Sequence, residues 1–263
     1  MGSTLRVIRG IADVKREPAT ADAESQLLYG EQFVVQDFDG AWAFGHCVHD
    51  GFAGYVSSRS LTDKLLEPTH SVSVLWAPVL RGPFLRFKPC DFLSLGSRLT
   101  IIGQRDQFYS LSEHEWVYKA HVVEGVWRSP SYIDLAERLV GVPFVWGGRS
   151  TFGFDCTGII QFVLGFAGIS APRDIPDQLR VLGHPIQVPR RGDLFFLERR
   201  GDLFHAGLFV SETEVINVGY RFAGTGVQRF DEIHHLYRLS EHANGTLDQY
   251  RVHLRRLQST ETI

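Results

Sequence analysis

The sequence predicts an α+β domain at the carboxyl-terminal end of the chain, preceded by two small all-β barrels. Three observations carry this: short alternating apolar runs up to about Pro130, a helical apolar pattern after Cys156, and three short strands between Arg191 and Asn217. The expected domains are residues 1–64 and 69–124 for the barrels and 129–263 for the α+β part.

In the first barrel, Gln32-Phe-Val-Val-Gln36 and Ala41-Trp-Ala-Phe-Gly45 alternate and are joined through Asp39-Gly40, a hairpin-type pair. Gly54-Tyr-Val56 supplies a further strand. The second barrel has the same order of short runs: Ser71-Val-Ser-Val-Leu75, Gly96-Ser-Arg-Leu-Thr-Ile-Ile102, Gln107-Phe-Tyr-Ser-Leu111 and Glu115-Trp-Val-Tyr118. Leu65-Leu-Glu-Pro-Thr69 and Gly125-Val-Trp-Arg-Ser-Pro130 connect the three parts.

The α+β part centres on Phe144-Val-Trp-Gly-Gly-Arg-Ser-Thr-Phe-Gly-Phe-Asp-Cys-Thr-Gly158. Ile159, Ile160, Val163, Leu164 and Ala167 then recur at the spacing of one helix face, which puts Cys156 in or just before the first turn. Unpaired amides and the helix dipole favour a thiolate there. Downstream, Arg191-Gly-Asp-Leu-Phe-Phe-Leu197, His205-Ala-Gly-Leu-Phe-Val210 and Val215-Ile-Asn217 read as three strands. A thiol, an imidazole and an amide able to hold that imidazole make a nucleophile, base and orienter set. The plainer reading is that a lone cysteine simply packs.

These residues resemble the NlpC family of papain-like cysteine peptidases, which cut bacterial cell-wall peptides. The resemblance covers about half the chain, from roughly Ser129, on Trp146-Gly-Gly148, Asp155-Cys-Thr-Gly158, Gly192-Asp-Leu194 and His205-Ala-Gly-Leu208. Arg173 and Gln178 also fall at family-like positions. The resemblance implies a papain-like fold with Cys156 as nucleophile, His205 as base and Asn217 as the third polar residue, often histidine in relatives. Phe144 departs from the pattern, since relatives often carry a tyrosine there whose hydroxyl helps hold the oxyanion. Losing one such donor costs about 3 kcal/mol of transition-state stabilisation.

The two barrels look like bacterial SH3-like domains in tandem. Joined to an NlpC-like domain, they resemble peptidases that recycle murein peptides, cutting the γ-D-glutamyl bond to the diamino acid in a tripeptide or tetrapeptide with a free amino-terminal L-alanine. By that resemblance Asp155 anchors the ammonium, Thr157 adds a hydroxyl, Trp146 forms a wall, and Glu31 and Tyr55 reach in from the first SH3-like domain. Plainer readings exist for each: a helix N-cap for Asp155, core packing for Trp146, a solvated turn for Glu31 and a barrel-core aromatic for Tyr55. Whether the diamino acid is diaminopimelate or lysine stays open.

Composition bounds the alternatives. The chain of 263 residues is 44% hydrophobic and 22% charged, enough for two or three cores, and its net charge of -3 offers no basic field for nucleic acid. Cys47, Cys90 and Cys156 lie far apart, so neither a disulfide framework nor a metal spacing is expected, and His234-His235 reads as a solvated or capping pair. No metal or organic cofactor is expected. No apolar stretch of spanning length or leader is visible, which points to the cytoplasm; a signal peptide removed earlier would point to the periplasm or beyond. The competing readings are a thiol amidase or acyltransferase on the same fold, a binding module with an inert catalytic domain, and a purely structural cysteine and histidine.

Overall fold

The structure, a computed structural model, describes residues 2–219, 221–233 and 250–258. They divide into two compact units, 1–128 with 146–152, and 129–145 with 153–263. The segment Trp146–Phe152 therefore belongs with the amino-terminal strands, although the segments on either side of it belong to the second unit.

The first unit begins with β1 (Ser3–Val7), β2 (Ile11–Val14), β3 (Ser25–Leu28), β4 (Gln32–Asp39), β5 (Trp42–Cys47), β6 (Ala53–Ser57) and β7 (Leu61–Thr62). They form an antiparallel sheet in the order β6-β5-β4-β1-β7 with β2 and β3 paired as a separate hairpin. The expected hairpin is present: Asp39 pairs with Trp42 around Gly40, whose φ of 57° is the left-handed conformation such a turn requires. Alternation does what period-2 patterning predicts. Phe33 and Val35 of β4, Ala43 and Cys47 of β5 and Val56 of β6 all enter one core, together with Val7, Val14 and Leu27.

A second strand set follows: β8 (His70–Val72), β9 (Trp76–Leu80), β10 (Pro89–Ser94), β11 (Arg98–Leu99), β12 (Gly103–Arg105), β13 (Phe108–Ser110), β14 (Trp116–Tyr118) and β15 (Val122–Glu124). Its sheets run β10-β9-β14-β13-β12 and β11-β8-β15. Val72, Val79, Leu93, Leu99 and Val117 form its core, joined by Tyr29 from the turn after β3. The Arg98 amide donates to the Tyr29 carbonyl at 2.9 Å. The long β9–β10 hairpin was not among the strands expected from the sequence, because prolines and charges between Pro78 and Pro89 break the alternation.

The second unit holds α1 (Tyr132–Arg138), α2 (Cys156–Phe166) and α3 (Ile175–Val181), with short strands β16 (Arg149–Ser150, of the first unit) and β17 (Gly153–Phe154) preceding α2. Its sheet comprises β18 (His184–Pro185), β19 (Leu194–Arg199), β20 (Asp202–Phe209), β21 (Glu214–Gly219), β22 (Gly224–Arg229) and β23 (Tyr250–Arg256), in the order β18-β23-β19-β20-β21-β22. The three strands expected from sequence lie at its centre. The last strand inserts between the first two, where Arg256 donates to Asp193 through Nε at 2.9 Å and Nη2 at 2.7 Å. Phe195, Leu197, Phe209 and Val215 pack into a core under this sheet.

Ser131 caps α1 by accepting from the Asp134 amide at 3.2 Å. Asp155 caps α2, accepting from the Gly158 amide at 2.7 Å. Every residue from Thr157 to Leu164 is buried, so α2 is a central helix rather than the one-faced helix its spacing suggested. It rests on β20 and β21, the strands carrying His205 and Asn217.

Candidate active site

Cys156 is the first residue of α2, placed there by its Asp155 cap. The backbone N–H groups of Ala206 and Thr157 both hydrogen-bond its sulfur. Ala206 follows His205 directly, so the sulfur and the imidazole are brought to the same stretch of β20. The strand starts at Asp202, three residues before the histidine expected to open it, and a bulge at Phe204 interrupts the pairing with β19 just before Leu197 meets His205. Such an extra residue re-aims the side chain beside it.

His205 and Asn217 share a sheet face. Asn217 lies opposite Gly207, two residues beyond His205, and its Oδ1 is 3.2 Å from His205 Nε2. An amide oxygen can only accept, so Nε2 carries the hydrogen and Nδ1 is the basic nitrogen of the neutral ring. Glycine is required at 207: a Cβ there would come within 2.6 Å of the Phe195 ring, which lies 6.0 Å from the His205 ring between centroids.

The surroundings of Cys156 and His205 favour their neutral forms. Burial, and then the negative charge of Asp155, push the Cys156 thiol up to about 12, against the opposing help of the Ala206 amide, Arg173 and the Thr157 amide. Burial pushes His205 down to about 4, with the Asn217 hydrogen bond working the other way. The proton therefore sits on sulfur at neutral pH. The thiolate expected from a helix start is opposed here chiefly by desolvation and then by the Asp155 charge.

Asp155 and Thr157 form one network with Arg173. The guanidinium spans both carboxylate oxygens, Nη1 to Oδ1 at 3.1 Å and Nη2 to Oδ2 at 2.5 Å, and Nη1 also donates to Thr157 Oγ1 at 2.5 Å. The Thr157 hydroxyl donates to Asp155 Oδ1 at 3.1 Å. Gln178 closes the base of the network by donating to the Thr157 and Pro172 carbonyls at 3.1 and 2.9 Å. The family-like positions Arg173 and Gln178 thus have a visible task, which spacing alone did not reveal.

Trp146, Glu31 and Tyr55 lie in the first unit. Trp146 does not pack into a core, being 61% exposed. Its loop is fastened by its own residues: Gly147, at φ 72°, passes so close to Ala23 that a Cβ would lie 2.2 Å from that carbonyl oxygen. Tyr55 is half-buried with its ring 5.0 Å from Phe44. Glu31 is buried, which overturns the plainer reading of a solvated turn residue. Arg149 binds its two carboxylate oxygens at 2.9 and 2.8 Å and the Leu28 amide adds a bond at 2.8 Å, much as Arg173 holds Asp155. Burial opposes that charge, yet Arg149, His49 and these hydrogen bonds hold Glu31 down at about 2. Arg149 was missed in the sequence because its partner lies 118 residues away.

Beside this pair, donor atoms of Cys47, His49 and Asp50 all lie within 4.8 Å of one another, a grouping hidden by a search for paired cysteines. A soft divalent ion would find a thiol, an imidazole and a carboxylate there. Asp50 already accepts from the Phe52 amide at 2.9 Å and faces His49 Nε2 at 3.1 Å, and burial leaves the Cys47 thiol well above its ordinary range. His234 and His235 lie outside the described residues.

The NlpC/P60 family model matches residues 141–243, and the model of the bacterial dipeptidyl-peptidase Sh3 domain matches residues 14–61, within the first strand set. The chain is 38% identical over 214 residues to the gamma-D-glutamyl-L-lysine dipeptidyl-peptidase of Bacillus subtilis, covering 74% of this chain and 71% of that one. The chain belongs to the NlpC/P60 peptidase family. A Bacillus cereus gamma-D-glutamyl-L-lysine dipeptidyl-peptidase is 24% identical over 226 residues, covering 74% of this chain and 66% of that protein. The crystal structure of an NlpC/P60 family protein from Bacillus cereus superposes with a TM-score of 0.77 over 97% of this chain and 99% of that chain, at 20% identity, a likeness of fold. This NlpC/P60 chain accordingly has the family's papain-like domain with an SH3 domain ahead of it.

Proposed function

We propose that the chain hydrolyses the γ-D-glutamyl bond to the diamino acid in murein peptides that carry a free amino-terminal L-alanine. The single observation that carries the chemistry is the His205 to Asn217 hydrogen bond at 3.2 Å beside the amide-capped Cys156 sulfur. The relatives named as gamma-D-glutamyl-L-lysine dipeptidyl-peptidases support the choice of bond.

With thiol and imidazole both neutral at rest, Cys156 passes its proton to His205 Nδ1 as the sulfur attacks the γ-glutamyl carbonyl. Asn217 holds the ring through Nε2. His205 then protonates the leaving amine of the diamino acid, and a water deprotonated by the same nitrogen releases the dipeptide from sulfur. The Cys156 amide donates to the oxyanion. Asp155 serves as the ammonium anchor, held in place by Arg173, with Thr157 beside it. We assign the strand set β8–β15 as a second SH3-like barrel and retain 1–64, 69–124 and 129–263 as the domain division, with the Trp146 loop lent by the last to the first unit.

The test is hydrolysis of L-Ala-γ-D-Glu-L-Lys and its diaminopimelate counterpart, each free and amino-acetylated. Only the free-amine peptides should be cut, and Cys156→Ala should abolish turnover; equal cleavage of acetylated peptide removes the anchoring role of Asp155. Phe144 favours a second reading, a chain that binds such peptides and turns them over slowly, since its ring offers no hydroxyl to the oxyanion. That reading wins if wild type is inert while Phe144→Tyr gains turnover.

A further inference from the structure

The tip of the β9–β10 hairpin, Arg81-Gly-Pro-Phe-Leu-Arg-Phe-Lys88, is unlike the rest of the surface. Leu85 is 73% exposed, with Phe84 and Phe87 also exposed beside it. Arg81, Arg86 and Lys88 flank these side chains, and no carboxylate falls within the eight residues, in a chain whose net charge is -3. The cations stay close to the apolar tip: the guanidiniums of Arg86 and Arg105 lie 5.4 and 5.6 Å from the Phe84 ring centroid. Asp91, three residues beyond the turn, accepts from the Gly10 amide at 2.9 Å.

The turn is shaped in advance. Phe87 donates its amide to the Phe84 carbonyl at 3.1 Å, the two rings lie 5.9 Å apart, and Gly82 leaves room for the Phe87 ring, which a Cβ would meet at 2.7 Å. The same hairpin keeps apolar residues on its outward face, since Phe92 pairs with Pro78, two residues from Trp76, and both Phe92 and Trp76 are exposed.

We propose that this hairpin tip is a peripheral binding site for an anionic lipid bilayer surface. Apolar side chains on a turn, ringed by long cationic ones, match a boundary where hydrocarbon lies a few ångströms beneath negative headgroups. Each cation near such a surface gains attraction that salt screens over roughly 8–10 Å. With three cations and no carboxylate in residues 81–88, the tip complements a continuous anionic surface. No helix among the described residues is long and apolar enough to cross a membrane.

The experiment is co-sedimentation of the full chain with large vesicles of phosphatidylcholine alone or mixed with phosphatidylglycerol. The expected result is binding to the mixed vesicles, loss of binding at high salt, and little binding to phosphatidylcholine alone. Leu85→Asp and the pair Arg86→Glu with Lys88→Glu should each lower the partition by about tenfold, while Arg59→Glu on the first barrel leaves it unchanged and thermal melting shows all variants folded. Failure to bind mixed vesicles overturns the proposal. So does binding that Leu85→Asp does not weaken, or preferential capture by soluble polyphosphate, which would mark an anion site without a lipid component. Self-association that depends on Leu85, in the absence of vesicle binding, assigns the tip to a second copy of the chain instead.

Discussion

His205 is buried beside Phe195, and the Asn217 amide oxygen 3.2 Å from its Nε2 helps to aim the ring. Asn217→Ala should lower kcat by about 100-fold with KM little changed, because a ring free to turn spends little time facing sulfur. Asn217→His should restore much of the loss through its own ring nitrogen. The pH profile separates positioning from simple damage. Wild-type kcat/KM should hold on its acidic side down to about 4, where His205 takes a proton, rather than falling near 6.5. Asn217 favours the protonated ring, so its removal should move that limb lower still; an unmoved limb would reduce Asn217 to packing. The placement of Cys156 at a helix start and of His205 and Asn217 on neighbouring strands was legible in the sequence, because each sits in a short local motif. Their protonation state was not, since desolvation depends on what chain segments far away in sequence bring around them.

At the scale of elements, the Trp146–Phe152 loop shows where such reading stops. Its glycines announced a turn, but nothing local could announce that Arg149 pairs with Glu31 across 118 residues or that the Thr151 hydroxyl meets Ser94 at 2.9 Å. The same limit hid β23, which enters the sheet between β18 and β19 and owes its place to long-range pairing. Local alternation, in contrast, revealed β4, β5 and β19 to β21, whose residues face a core on one side or both. The Arg149–Glu31 pair makes a direct prediction. Arg149→Met leaves a buried carboxylate without its partner and should destabilise the first unit by about 3–5 kcal/mol in chemical denaturation. Adding Glu31→Met should recover most of that loss, because the uncompensated charge is gone. If Glu31 were instead a substrate contact, Glu31→Gln would raise KM while leaving stability near wild type, and Arg149→Met would be mild.

The two units place their titrating groups differently, and acid should separate them. His205, in the second unit, has its proton affinity depressed from 6.5 to about 4, so the unfolded chain takes up the proton first. Its stabilisation is complete above 6.5 and is lost as pH falls from there to about 4, of order 3 kcal/mol in all. Glu31 and Asp50, in the first unit, are held at about 2 from ordinary values of 4.5 and 3.8. Their contribution remains whole until pH drops below about 4.5 and disappears toward 2. All five tryptophans, Trp42, Trp76, Trp116, Trp127 and Trp146, belong to the first unit, so indole fluorescence reports on that unit alone. Between pH 6 and 4 the amides of β19 to β21 should lose hydrogen-exchange protection while tryptophan emission stays native, and emission should shift only at lower pH. Each unit has a core of its own, one set of strands closing around Phe33 and Val35, the other packing Phe195 and Phe209 under its sheet, which gives the two transitions separate cooperative bodies. Coincident loss of both signals would show that the units unfold as one body, with the proton uptake of His205 drawn against the stability of the whole chain.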